Sequence, residues 1–110
     1  MTEQELSAIL SKGESRTVEF KKSIKEITKD VYETVCSFSN RDGGDIFLGV
    51  ANDGTVLGVD PSCADQIKKN FVTSINNPQK ICPPLYLQPQ DIWYDKRLVI
   101  RISVPSCPQV

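Results

Sequence analysis

A chain of 110 residues, 39% hydrophobic and 25% charged, has enough material for one domain with its own core and excludes a disordered or membrane-embedded polypeptide. The formal charge of −1 excludes attraction to polyanions by bulk charge, but the order is uneven: residues 16–29 hold five cations and two acids, residues 30–65 one and seven, residues 66–110 six and two. No apolar run approaches the roughly 20 residues of a spanning helix, and MTEQELSAILSKG lacks a signal peptide's basic start and cleavage site, so no membrane partner and a cytoplasmic address are expected.

In chain order, Thr2 with Glu5 matches a capping box, Leu6, Ile9 and Leu10 follow at helical spacing, and Gly13 supplies a stop, which predicts a helix over 3–12. TVEF alternates Val18 and Phe20 with polar neighbours and reads as a strand with Glu19 on its wetter face. Ile24, Ile27, Val31, Val35 and Phe38 recur at the period of an amphipathic helix, which predicts one from Ser23 to about Asn40, ended by Gly43-Gly44. DIFLGV and TVLGV, joined by Asn52-Asp53-Gly54, predict a β-hairpin over 45–59. Asp60-Pro61 is the signature of an N-cap and first helical turn, and Ile67, Phe71 and Ile75 mark the buried face of a third helix that stops before Pro78.

After Ile81-Cys82-Pro83-Pro84, the runs LYLQPQDIWY and RLVIRISV, joined by Asp95-Lys96, predict a second hairpin. Pro89 removes a ladder donor and marks the first run as an edge or interrupted strand, which leaves a homodimer through residues 85–94 open, whereas LVIRISV suits a central strand. The order αβαββαββ implies an α+β fold, a mixed β-sheet with helices packed against it, in a single domain over 1–110. The ending PSCPQV suggests a piece of a longer protein. Cys36, Cys63, Cys82 and Cys107 form no CxxC pair and the chain has no histidine, so they read as small hydrophobes in a reducing compartment, not as zinc ligands or a His-activated nucleophile.

GESRTVEFKKS, followed by VCSFSNRDGGDIFLGVANDGTVLGVD, resembles the Schlafen/AlbA_2 domain family, a module assigned to DNA binding in bacterial transcriptional-regulator-like proteins and in Schlafen proteins. The resemblance implies an α+β fold used on nucleic acid, DNA or RNA, most simply as a DNA-binding, regulatory module that needs no cofactor. It also implies an alternative, a divalent-metal-dependent (endo)ribonuclease of Schlafen type that uses Mg or Mn, with Glu14 and Glu19 as the first two carboxylates. The third position falls on Asn52, and Asp53 beside it is the available substitute, although neighbouring strand residues point to opposite faces. A third alternative is an oligomerisation or interaction module. No G-x-x-x-x-G-K-[ST] is present, and Gly43-Gly44 precedes a strand, so ATP binding has no support.

Each candidate also has a structural reading. Glu14 and Glu19 would ligate a cation only if Glu14 sat in a bend before the strand; otherwise Glu19 anchors the fold by accepting hydrogen bonds. Lys21, Lys22, Arg41, Lys68, Lys69, Arg97 and Arg101 are the cations available to phosphates, if folding gathers them. Trp93 and Tyr94 are either a stacking pair for bases or part of a core or interface. Asn40, Asp42, Asn52 and the glycines of the central stretch serve as ordinary turn residues or place Asn52 and Asp53 beside Glu19.

Overall fold

The computed structural model describes residues 1–76 and 87–107, so Pro78, the Ile81–Pro84 segment, Cys82 and the start of the predicted run at Leu85 lie outside the described residues. The elements are α1 (Glu3–Lys12), β1 (Val18–Lys21), α2 (Lys29–Ser39), β2 (Gly44–Leu48), α3 (Pro61–Ile75), β3 (Gln90–Tyr94) and β4 (Arg97–Val104). The strands form one sheet in the order β1-β2-β4-β3, with β1 parallel to β2 and the other two pairings antiparallel. This is the expected α+β architecture.

Caps set the helix ends as the residues imply. Thr2 and Glu5 form a reciprocal capping box on α1, and the Asp60 side chain accepts from Ser62 N at the start of α3, with Pro61 in the first turn. The hairpin of β3 and β4 turns on Asp95 and Lys96, which take the left-handed φ values 48° and 64° that a tight two-residue turn requires. As expected, β3 is an edge strand and β4 is central.

Both sheet faces are covered. Leu6 of α1 packs with Phe20, Phe47, Val50, Ile92 and Val99 on one side. On the other, Val31, Val35 and Phe38 of α2 and Ile67, Phe71 and Ile75 of α3 close over Ile46, Leu48, Leu98, Ile100, Ile102 and Val104. Stacked rings of Tyr32 and Phe71, 5.9 Å apart, join α2 to α3. Along β4 the alternation of strand side chains sends Leu98, Ile100, Ile102 and Val104 to one face, which is apolar throughout, and Val99 to the other, beside Arg101.

Two elements differ from the sequence reading. α2 begins at Lys29, not Ser23. It is the crossover between parallel neighbours, and a five-residue strand spans only about 16 Å, the length of about eleven helical residues; eighteen would overshoot by about 10 Å. The surplus, from Ser23, becomes an irregular segment at the end of β1, tied down by a bond from Asp60 N to Ile24 O. The hairpin over 45–59 keeps its turn but not its second strand. β2 already has β1 on one edge and β4 on the other, so the TVLGV run folds back on Gly49 to Ala51, through bonds such as Ala51 N to Thr55 O at 2.8 Å and a bridge between Val50 and Val56, and reaches β4 through a single bridge from Val59 to Leu98.

The cysteines also depart from expectation. Cys36 is disulfide-bonded, and among the described residues Cys63 is a half-buried free thiol and Cys107 an exposed one beyond the end of β4.

Candidate functional site

Because β1 and β2 run parallel and β4 runs against them, the C-terminal ends of β1 and β2 share one end of the sheet with the β3–β4 turn. At that end lies a cleft of about 410 Å³ lined by Glu14, Glu19, Lys21, Lys22, Ser23, Thr28, Asp30 and Asn52. Gly13 at φ 82° turns the chain out of α1, and Glu14 then lies alongside β1, where its Oε2 accepts from Phe20 N at 3.0 Å. This is the bend that convergence of Glu14 with Glu19 demanded.

The cleft is internally neutralised. Lys21 Nζ lies 2.8 Å from Asp30 Oδ2 and 3.5 Å from Glu19 Oε1, with its side chain mostly buried. Thr28 donates to the other oxygen of Asp30. These bonds hold the Asp30 carboxyl below its usual range, Lys21 first and Thr28 second. Burial opposes the charge on Lys21, but Asp30 and Glu19 together outweigh it and raise the ammonium's pKa. Glu19 is pushed up, by burial and then by the neighbouring Glu14 charge.

The resemblance implies a divalent ion held by three carboxylates, and the residues here do not fit one. Asn52, a neutral amide, occupies the third place. Asp53 turns away: its Oδ1 accepts from Thr55 N at 2.9 Å and closes its own turn, a local bond typical of a turn aspartate. The remaining carboxylate, Asp30, is taken by Lys21 and Thr28. Among the described residues no three Asp, Glu, Cys or His side chains are placed to hold a metal ion. The expected metal ligands Glu14 and Glu19 therefore share a cleft with Lys21, whose ammonium reaches Glu19.

The expected cations separate into two groups. Lys21 and Lys22 line the cleft. Arg97 joins them at the same sheet end, in a second hollow shared with Ile24, Asp60 and Lys96. The others lie elsewhere, which corrects the expectation of a single basic face built from all seven. Lys68 is bound to Asp91 at 3.0 Å, with Asp65 at 3.8 Å. Arg101 is bound to Asp45 at 3.0 Å on the face α1 covers. Arg41 sits past the end of α2, at the opposite end of the sheet, over the Phe38 ring and donating to Ser37 O. Lys69 is an exposed residue of α3. Trp93 and Tyr94, as adjacent strand residues, face opposite ways: Tyr94 packs toward α1 and contacts Ser7, while Trp93 is 54% exposed, so the two do not form one stacking pair.

Lys25 and Lys96 were not among the seven cations expected to reach phosphates. Lys25 lies close enough to Asp60 to act on its carboxyl, and Lys96 lines the hollow with Arg97. The signal for Lys96 was its place in a hairpin turn that favours glycine. Among the described residues, Lys22, Lys25, Lys96 and Arg97 make no ion pair, and Asp53 and Asp60 beside them cap their own turns.

A mixed four-stranded sheet with helices on both faces and a carboxylate–lysine cleft at the C-terminal end of its parallel pair defines an α+β domain of a recognisable kind. The sequence profile of the Schlafen, AlbA_2 family matches residues 14–110, and the chain belongs to that family. No curated protein sequence matches it. Among solved structures, it is similar to the solution NMR structure of the N-terminal domain of a protein from Nitrosomonas europaea named as ATP-dependent DNA helicase RecG-related. The TM-score is 0.71 at 19% identity over 96% of this chain and 74% of that one, a likeness of fold. No described helix is long and apolar enough to cross a membrane.

Proposed function

We propose that the domain binds nucleic acid through the sheet end that carries Lys22, Lys25, Lys96 and Arg97, as a DNA-binding, regulatory module. The observation that carries this reading is placement together with pairing: Lys22, Lys25, Lys96 and Arg97, from segments some 70 residues apart, share one end of the sheet without an ion pair, whereas Arg16, Lys21, Lys68 and Arg101 are each held by an acid. Free ammonium and guanidinium groups bind phosphates by releasing condensed counterions, and groups already paired do so poorly.

A second feature supports the same surface. Lys96 is held at φ 64°, a conformation that costs a non-glycine residue about 1 kcal/mol, where glycine would close the turn without strain. Strain kept at an exposed cation agrees with a role for that cation. Family membership and the helicase-related name of the structural neighbour agree with a role on nucleic acid. Fluorescence anisotropy with labelled single-stranded DNA, duplex DNA and RNA at rising salt tests the proposal. Affinity that falls steeply with salt is expected; no binding, or binding indifferent to salt, overturns it.

A further inference from the structure

We infer that Lys21 is the resident cation of the cleft, standing where the family's nuclease members are expected to place a divalent ion, and that residue 52 decides whether such an ion can bind. Four observations meet here. The Lys21 ammonium lies 2.8 Å from Asp30 and 3.5 Å from Glu19, so an incoming dication competes with a fixed charge for the same oxygens. Asp30 has both oxygens engaged, by Lys21 and by Thr28. One oxygen of Glu14 accepts from Phe20 N at 3.0 Å, which ties that carboxylate to the strand. Asn52, at the mouth of the cleft, contributes an amide where a third negative charge is needed.

Hard divalent cations are held by the number and charge of their oxygen ligands. Glu14, Glu19 and Asp30 supply three negative charges, but Lys21 cancels one and Asp30 already has both oxygens bonded. One added carboxylate at residue 52 changes that balance, and the exposed turn that carries Asn52 accepts an isosteric aspartate without repacking. Asn52 therefore keeps the cleft metal-free, and any function of the cleft proceeds on side chains alone. This inference is independent of the nucleic-acid reading, because its test uses the metal ion by itself.

The test is a Mn²⁺ titration of the wild-type chain, Asn52→Asp, and the double variant Lys21→Met with Asn52→Asp, followed by the electron paramagnetic resonance of free Mn²⁺. Circular dichroism melts check that each variant is folded. The wild type is expected to show no saturable site tighter than about 1 mM, and Asn52→Asp to bind one ion at least about tenfold more tightly, with the double variant tighter still if it folds. A wild-type site tighter than that limit, weakened by Glu14→Gln or Glu19→Gln, overturns the inference. So does a folded Asn52→Asp that binds Mn²⁺ no better than wild type.

Discussion

Removing one cation from the sheet end has a calculable effect on the salt dependence of binding. Four unpaired groups, Lys22, Lys25, Lys96 and Arg97, give about four phosphate contacts, so log K should fall against log salt with a slope of about −3.6 on duplex DNA and about −2.8 on a single strand. Between 50 and 200 mM salt that is a loss of about 150-fold or about 50-fold respectively. Lys22→Ala or Arg97→Ala should flatten the slope by about 0.9 on duplex or about 0.7 on single strands. Lys68→Ala and Arg101→Ala are the controls. Both remove a positive charge, but those charges already face Asp91 and Asp45 at 3.0 Å, so the slope should stay where it was. The assay is anisotropy at five or more salt concentrations for each variant. If the control variants flatten the slope as much as Lys22→Ala does, net charge and not its placement governs binding, and the reasoning fails.

Lys96→Gly relieves the left-handed strain in the β3–β4 turn and should stabilise the domain to urea by about 1 kcal/mol while weakening nucleic-acid binding, so stability and affinity move in opposite directions. Gly44→Ala should destabilise by about 2 kcal/mol, because a Cβ there would lie 2.7 Å from Thr17 O and 2.8 Å from the Phe38 ring, neither of which can retreat. The two cleft acids should respond to pH with opposite signs. The folded pKa of Asp30 lies below its unfolded value of 3.8, so its contribution is fully present above that pH and is lost as pH falls through the folded value; Asp30→Asn should cost about 0.5 kcal/mol at pH 7, a modest figure because Asp30 is more than half exposed, and progressively less in acid. The folded pKa of Glu19 lies above its unfolded value of 4.5, so ionising it costs folded stability once pH rises through the folded value; Glu19→Gln should gain stability at pH 7 relative to pH 4, read from urea melts at both.

Local chemistry alone determined the ends of α1, the start of α3, the turn positions and the alternation of strands. Thr2, Glu5 and Gly13 delimit α1, Asp60-Pro61 opens α3, and Asp95-Lys96 folds the final hairpin, because each of these signals acts within four residues of the backbone it satisfies. The spacing of acids, glycines and apolar residues from Gly13 to Asp60 was likewise enough to identify the family. Tertiary structure alone decided the length of α2, which had to match the strands it connects, and the fate of the TVLGV run, which found both edges of β2 already occupied.

It also decided which charges are free. Asp45 and Arg101 are 56 residues apart and Lys68 and Asp91 are 23 apart, and only strand register and helix placement bring their side chains to 3.0 Å. The same register carries Lys22 and Arg97 to one end of the sheet. Charge pairing across such separations is a property of the closed sheet, so the sequence could name the cations but not tell the occupied ones from the available ones.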